Sequence, residues 1–172
     1  PQCASTSSAT PVSSRLINLS GQSIGEPDVL EFIVGPFEDS VVDPAKICFE
    51  ITETAAIGDL TNAIKCISSL KAFGCRFALD DFGSGLSSFA YLKNLSVDYH
   101  KIDGVFVKDI VSYPVALAML FSINEIGHVM GKQTIAEFVE DTESFNKLKS
   151  IGVDLAQGYG IARPRPREEL LV

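Results

Sequence analysis

Short apolar segments of β type alternate with helical patterns along almost the whole chain after residue 14. Six such segments occur, at Arg15–Leu19, Ile47–Ile51, Arg76–Leu79, Tyr99–Ile102, Gln133–Ala136 and, more weakly, Val153–Ala156. The clearest helical pattern lies between the second and third of them, with Asp59 as its N-cap and Gly74 after its end. Further helical patterns begin at Pro27, Pro114 and Thr142. This alternation predicts an α/β fold with parallel strands and helical crossovers.

The composition limits what such a chain does. Of its 172 residues 46% are hydrophobic and 21% are charged, which is enough apolar material for a core and excludes a disordered chain. The net charge of −8 argues against a general nucleic-acid or anionic-membrane binder, because those functions need clustered Lys and Arg. It suits a protein that binds divalent cations. We find no long apolar run and no signal segment, so we expect a soluble protein without membrane insertion.

The four cysteines, Cys3, Cys48, Cys66 and Cys75, show no CxxC spacing and lie mostly within apolar stretches. Buried free thiols are therefore favoured over disulfides or zinc ligands, which indicates a reducing compartment. His100 and His128 have no matching metal-ligand partners, and we expect them to be structural or exposed.

Polar residues gather where the predicted strands end. They are Asn18, Glu50, Asp80, Asp81, Lys101, Glu137 and Gln157. Because the carboxyl ends of parallel strands meet at one face, these residues are expected to form one site. Carboxylate and amide oxygens suit Mg²⁺ or Mn²⁺ and not zinc or copper. Two such ions would activate a water for in-line displacement at a phosphodiester, and the adjacent aspartates can serve both.

Three further features complete this predicted site. Lys101 is the one cation aimed at the acidic residues, suited to position the attacking water or to neutralise charge on the phosphate. The segment Phe82-Gly83-Ser84-Gly85 predicts a tight loop with free backbone N–H groups. Glu53 cannot point the same way as Glu50 along a strand, so we expect it to hydrogen-bond this loop.

Taken singly, these residues have other interpretations. The Asp pair is also typical of a loop start or helix cap, Lys101 of a surface lysine, Asn18 of a turn residue, and Gln157 of a plain turn. Glu50 is harder to dismiss, because a carboxylate inside an apolar run must be paired, bound or at the end of the run.

Five segments in order closely resemble motifs of the EAL-domain family, the cyclic di-GMP phosphodiesterases. They are INLSGQSI, CFEITETA, ALDDFGSGLSSFAYLKNLSVDYHKID, TIAEFVE and AQGYGIARP. The resemblance spans residues 15 to 167. It implies a TIM-like (β/α)8 barrel, here incomplete with about six strand-helix units. It also implies hydrolysis of cyclic di-GMP to linear pGpG with Mg²⁺ or Mn²⁺, and inhibition by Ca²⁺.

The resemblance also assigns roles to individual residues. Metal ligands would be Asn18, Glu50, Asp80 (bridging), Asp81 and Glu137. Catalytic or supporting roles would fall to Lys101 at the nucleophile, Glu137 at the second metal or its water, Glu53 as the anchor of the loop, Gln157 beside the water or substrate, and Glu140. Substrate contacts would come from Asp81, Gly83, Ser84, Gln157 and Pro164.

One family feature is missing, because no Glu-x-Leu motif precedes the INLSGQSI segment. Residues 1–14 are rich in Ser, Thr, Ala and Pro, and we expect a disordered linker or tag remnant there, with residues 15–172 as the C-terminal three-quarters of the domain. The fragment itself would then be weak or inactive. The alternative is an impaired domain that serves as a cyclic di-GMP receptor or regulatory module.

The family resemblance implies a setting as well. It implies bacterial second-messenger signalling in the cytoplasm, in a module that a membrane-tethered protein can also carry. The expected partners are cyclic di-GMP, a second copy of the chain, and upstream sensor or diguanylate-cyclase domains. DNA and RNA are not expected partners.

Overall fold

The computed structural model describes residues 4–5, 15–39, 42–83 and 93–163. Its strands are β1 (Ala4–Ser5), β2 (Arg15–Asn18), β3 (Ile47–Thr52), β4 (Arg76–Phe82), β5 (Tyr99–Ile102), β6 (Gln133–Ala136) and β7 (Leu155–Ala156). They form one sheet in the order β1-β7-β6-β5-β4-β3-β2. Strands β2 to β7 are parallel, and each lies beside its predecessor in the chain. The predicted α/β fold is confirmed as an incomplete TIM-like barrel.

Strand β1 lies within the segment that precedes the predicted domain. It pairs antiparallel with β7 and so covers the edge of the sheet at that end. The β7 edge thus gives Ala4 and Ser5 backbone partners that local sequence patterns do not indicate. The rest of the segment 1–14 lies outside the described residues, and a domain boundary at residue 14 stays a prediction.

The described helices cover the outer side of the sheet. They are α1 (Gly21–Ile24), α2 (Pro27–Glu38), α3 (Glu53–Gly58), α4 (Leu60–Ala72), α5 (Gly104–Val107), α6 (Pro114–Val129) and α7 (Thr142–Ile151), with a 3₁₀ turn at Pro44–Lys46. The four longest were predicted. In α4 the Asp59 side chain accepts the Asn62 N–H at 3.2 Å, and Gly74 follows the helix with φ +100°, as the sequence predicts.

Side chains of the strands form two layers of different character. Those that point outward, including Phe49, Phe77 and Ile102, pack in a large core with the helices. Those that point inward form a separate small apolar cluster of Leu16, Cys48, Ala78, Tyr99, Ile135 and Leu155. Two residues further along each strand come Asn18, Glu50, Asp80, Lys101, Glu137 and Gln157. Because strand side chains repeat with a period of two, these polar residues share the inner face, one level nearer the carboxyl ends.

The described cysteines confirm the prediction of free thiols. Cys48, Cys66 and Cys75 are buried and unpaired. Burial, reinforced by the nearby Glu50 carboxylate, raises the pKa of the Cys48 thiol to about 12. This cysteine is therefore a packing residue of the inner layer rather than a reactive thiol. Cys3 lies outside the described residues.

His100 is buried between β5 and helix α6 and makes stability depend on pH. Its ring is fully buried and stacks on Phe82 with 4.2 Å between ring centroids. Neither ring nitrogen has a hydrogen-bond partner among the residues described. Burial, together with the positive charge of Lys132, lowers the pKa of His100 from 6.5 to about 4. The folded protein therefore resists protonation at this residue, whereas the unfolded chain accepts the proton near pH 6.5.

We expect the contribution of neutral His100 to stability to be complete above pH 6.5 and to be lost as the pH falls toward 4. The loss reaches about 3 kcal/mol, because each unit of pKa difference corresponds to about 1.4 kcal/mol. Urea unfolding followed by circular dichroism at several pH values measures it. His100→Gln should remove this slope, whereas His128→Gln, at a half-exposed residue paired with Asp154, should keep it. Equal slopes in wild type and His100→Gln would contradict the assignment.

Candidate active site

The buried ammonium group of Lys101 lies at the centre of the polar layer. Its Nζ is 2.8 Å from Glu50 Oε1, 3.0 Å from Asp80 Oδ1 and 2.8 Å from Glu137 Oε1. These carboxylates come from three different strand ends, β3, β4 and β6, so the parallel sheet brings together residues that are far apart in sequence. Lys101 and Glu50 are each only 3% exposed. The predicted convergence of these four side chains is present in the structure.

The charges of this cluster set its electrostatic character. Burial alone would lower the pKa of Lys101, but the Glu137 and Glu50 carboxylates outweigh it and raise that pKa above its usual range. Burial raises the pKa of Glu137, and Lys101 opposes this shift. The single positive charge of Lys101 therefore contacts three carboxylates, which leaves excess negative charge in a partly enclosed site. Such a site attracts a further cation.

Asp81 reaches the site through an irregular backbone. Consecutive strand residues point to opposite faces, so Asp81 would ordinarily turn away from Asp80. The pairing of β4 with β5 shifts register between Leu79 and Phe82, and Asp81 adopts φ +56°. This irregularity returns the Asp81 side chain toward Asp80, and burial together with the Asp80 and Asp103 carboxylates raises its pKa.

An acidic cluster able to hold a metal ion results. Carboxylate oxygens of Asp80, Asp81 and Glu137 lie within 4.8 Å of one another. A set of donors made only of carboxylate oxygens fits a hard divalent cation such as Mg²⁺ or Mn²⁺.

Glu53 links helix α3 to the loop after β4. It is 3% exposed, and its Oε2 accepts the Gly83 N–H at 3.1 Å. Glu53 is the first residue of α3 and not a strand residue, because the Thr52 side chain caps this helix by accepting the Ala55 N–H. The predicted hydrogen bond to the Gly-rich loop is therefore present, and it joins the end of β3 to the residues that follow the Asp pair.

The other predicted site residues lie around the Lys101 cluster or outside the described residues. Asn18 is paired in register with Glu50 at the edge of the sheet, where it is exposed. Gln157 lies beside Glu137, and its buried Oε1 has no hydrogen-bond partner among the described residues. Glu140 is exposed and lines one cavity together with Glu137 and Gln157. Ser84, Gly85 and Pro164 lie outside the described residues.

Sequence reasoning missed two aromatic residues at this site. Phe138 and Tyr159 line a cavity of about 300 Å³ together with Glu137 and Gln157, and the two rings are 53% and 65% exposed. Phe138 also adopts φ +53°, which is unusual for a bulky residue and is typical of functional sites. The sequence did offer one signal: Phe138 directly follows Glu137, and Tyr159 comes two residues after Gln157.

A substitution at Gly83 tests how tightly the loop after β4 is packed. Its φ is +92°, and a Cβ atom there would lie 2.8 Å from Ile123 Cδ1. We expect Gly83→Ala to lower the free energy of unfolding by about 1–3 kcal/mol, because it adds both backbone strain and a clash. Gly58→Ala is the control, since a Cβ there would meet nothing within 4 Å. Chemical denaturation that shows equal stabilities for the two variants would contradict this geometry.

The family model that describes the EAL domain matches residues 2–164 of the chain. With the incomplete barrel and the acidic layer at its carboxyl ends, this match shows that the protein belongs to the EAL-domain family.

Two curated relatives are similar to most of the chain. The cyclic di-GMP phosphodiesterase PdeB of Shewanella oneidensis is 45% identical over 150 residues, which cover 87% of this chain and 18% of that protein. The probable cyclic di-GMP phosphodiesterase PdeA of Escherichia coli is 35% identical over 150 residues, covering 87% of this chain and 21% of that protein. The chain thus spans about a fifth of the length of these relatives.

Solved EAL structures share the fold. The PaMucR phosphodiesterase in complex with c-di-GMP superposes with a TM-score of 0.85 at 27% identity, covering 91% of this chain and 64% of that one. The FimX EAL domain of Pseudomonas aeruginosa, bound to c-di-GMP, gives 0.82 at 28% identity, with coverages of 88% and 62%. Among the described helices, none combines the length and the apolar character that a membrane span requires.

Proposed function

We propose that this chain belongs to a metal-dependent phosphodiesterase that hydrolyses cyclic di-GMP to linear pGpG in bacterial second-messenger signalling. The observation that carries the proposal is the cluster of carboxylates from three strand ends around one buried lysine. The relatives whose names contain this activity support the choice of substrate.

The metal would be held by Asp80, Asp81, Glu137 and Glu50, with Asn18 at the rim. We propose Mg²⁺ or Mn²⁺, and we expect Ca²⁺ to inhibit. When bound, such ions supply Lewis-acid activation of water and neutralise charge on the phosphate.

Lys101 contributes positive charge rather than base catalysis. Because its pKa is raised, the ammonium group keeps its proton at neutral pH and cannot accept one. It can donate hydrogen bonds to a phosphate oxygen or to the attacking water, and the carboxylates around it fix its position before substrate arrives.

Neighbouring residues would orient the substrate. Glu53 holds the Gly83 backbone, which keeps the loop after Asp81 close to the site. The unsatisfied Gln157 Oε1 is an acceptor for a donor on the substrate or for a water, and the half-exposed rings of Phe138 and Tyr159 are aromatic groups on which a purine base could stack. Ser84 and Pro164 remain proposed substrate contacts from the family resemblance.

A receptor without turnover is the second candidate. Lys101 already contacts Glu50, Asp80 and Glu137, so part of the acidic charge is compensated by the protein itself. A site compensated in this way can bind the nucleotide while it binds metal weakly.

We also propose the molecular setting, which is a cytoplasmic module that forms homodimers and receives signals from sensor or diguanylate-cyclase domains. Exposed apolar side chains on α6, at Val115, Met119 and Phe121, support a protein contact.

Turnover of cyclic di-GMP by the protein that carries this chain, with Mn²⁺ or Mg²⁺, separates the candidates. We expect linear pGpG to appear with either ion and to disappear with a chelator or with Ca²⁺. Tight binding of the nucleotide without product would favour the receptor. If the protein neither binds cyclic di-GMP nor forms product, both the phosphodiesterase and the receptor proposals are wrong.

A further inference from the structure

A basic cavity lies at the amino-terminal end of the parallel strands, opposite the acidic site. It has a volume of about 470 Å³, and its charged lining residues are Lys71, Arg76, Lys132 and Asp98. We propose that this cavity is a second binding site, for a phosphate group. In a chain with a net charge of −8, a concave surface lined by three cations and one carboxylate, +3 − 1 = +2, is a local reversal of charge.

The single carboxylate of the cavity, Asp98, directly contacts one of the three cations. Asp98 Oδ1 lies 2.6 Å from Lys71 Nζ, and Asp98 Oδ2 accepts the Phe77 N–H at 2.9 Å. Asp98 therefore pairs directly with Lys71 and fixes the start of β4, and it makes no ion pair with Arg76 or Lys132.

Arg76 and Lys132 are the cations of the cavity that form no ion pair with a described residue. Arg76 Nη1 donates to the Tyr99 hydroxyl at 2.8 Å, a neutral partner that orients the guanidinium group but leaves its charge in place. Lys132 makes no ion pair with any residue that the structure describes. Burial and the nearby charge of Lys71 lower the pKa of Lys132, and the Asp98 carboxylate opposes this shift only in part. A phosphate dianion in the cavity would reduce the repulsion between Lys132 and Lys71 and could accept hydrogen bonds from Arg76 and Lys132.

The cavity is separate from the candidate active site. The inner apolar layer, with Cys48, Ala78 and Ile135, lies between the two ends of the strands. The active-site end has excess negative charge, so a free phosphate is repelled there unless a metal is bound. In the presence of a chelator the two sites can therefore be distinguished.

The helix dipole explains the position of only one of the three cations in the basic cavity. Lys71 lies in the last turn of α4, where a cation is favourable beside the helix dipole without any ligand, and Lys149 occupies the same place in α7. Arg76 begins a strand, so the same reason does not place it in the cavity. Lys149→Gln thus removes an equal charge from an equivalent helix end outside the cavity and is a matched control.

The test is a titration of the chain with inorganic phosphate in the presence of a chelator, against sodium chloride at matched ionic strength. Thermal unfolding and backbone amide NMR shifts at residues 96–99 and 131–133 are the readouts. We expect saturable stabilisation beyond the chloride control, with binding about tenfold weaker in Lys132→Gln and in Arg76→Gln but unchanged in Lys149→Gln. A parallel titration with guanosine 5′-monophosphate shows whether a nucleotide phosphate binds more tightly than the free ion. Saturable binding of either one supports the site, whichever binds more tightly.

No saturable shift beyond the chloride control would overturn the proposal. Equal weakening in Lys132→Gln and Lys149→Gln would also overturn it, since this would reveal a general charge effect. The NMR shifts of the wild-type protein remain decisive if a variant does not fold, because shifts confined to other regions would place the anion elsewhere. Hydrolysis of cyclic di-GMP is not a readout in this test, so its outcome is independent of the proposed activity.

Discussion

Replacing Lys101 with methionine will lower the free energy of unfolding by about 3–5 kcal/mol at neutral pH without divalent ions, because the change leaves partly buried carboxylates without their cation. Methionine keeps most of the length of the side chain, so the loss reports charge rather than volume. The contacts at stake are those from Lys101 Nζ to Glu50, Asp80 and Glu137. Urea denaturation followed by circular dichroism in a chelator measures the effect.

The control for this variant is Lys108→Met. Lys108 is exposed, and its ammonium group lies 5.5 Å from the centre of the Phe138 ring, so we expect a loss of no more than about 1 kcal/mol. Mn²⁺ should restore more stability to Lys101→Met than it adds to the wild type, because the ion compensates the same carboxylates. Equal stabilities for Lys101→Met and Lys108→Met would show that the buried ion pairs do not hold this site together.

The second large effect concerns hydrolysis. We expect Glu50→Gln to reduce the rate of cyclic di-GMP hydrolysis at least about 100-fold in the protein that carries this chain. The substitution preserves the shape of the side chain but removes the charge that faces Lys101 at 2.8 Å, and with it one of the proposed metal ligands. Product formation in Mn²⁺, measured by chromatography at saturating substrate, reports this rate.

Glu31→Gln is the matched control, because Glu31 is exposed on α2 and has no ion pair with a described residue. It should hydrolyse cyclic di-GMP at the wild-type rate. Undiminished hydrolysis in Glu50→Gln would contradict the proposal that Glu50 is a metal ligand.

Much of the fold and of the site follows from two regularities of the sequence. The alternation of strands with helices predicts the parallel sheet, and a period of two along each strand predicts which residues share its inner face. Glu50 follows Cys48 and Lys101 follows Tyr99 on that face, so the position of the polar layer above the apolar layer is visible in the sequence.

Other features depend on backbone conformations that local patterns do not encode. The shared site of Asp80 and Asp81 requires φ +56° at Asp81 and a shift in the register of β4, which tertiary contacts impose. Phe138 is at φ +53°, in a region that a bulky side chain rarely adopts.

The short helices were missed for a related reason. Helix α3 spans only Glu53–Gly58, which is too short for a periodic pattern, and it forms because Thr52 caps it and the sheet buries Ala56.

The central claim is that the carboxyl ends of the strands form one divalent-metal site, and Mn²⁺ titration of this chain tests it most directly. Electron paramagnetic resonance of free Mn²⁺ gives the bound fraction. We predict saturable binding to the wild type and at least about tenfold weaker binding to Asp80→Asn, since Asp80 belongs to the carboxylate cluster. Mn²⁺ binding that is absent in the wild type, or that is unchanged in Asp80→Asn, would contradict the account.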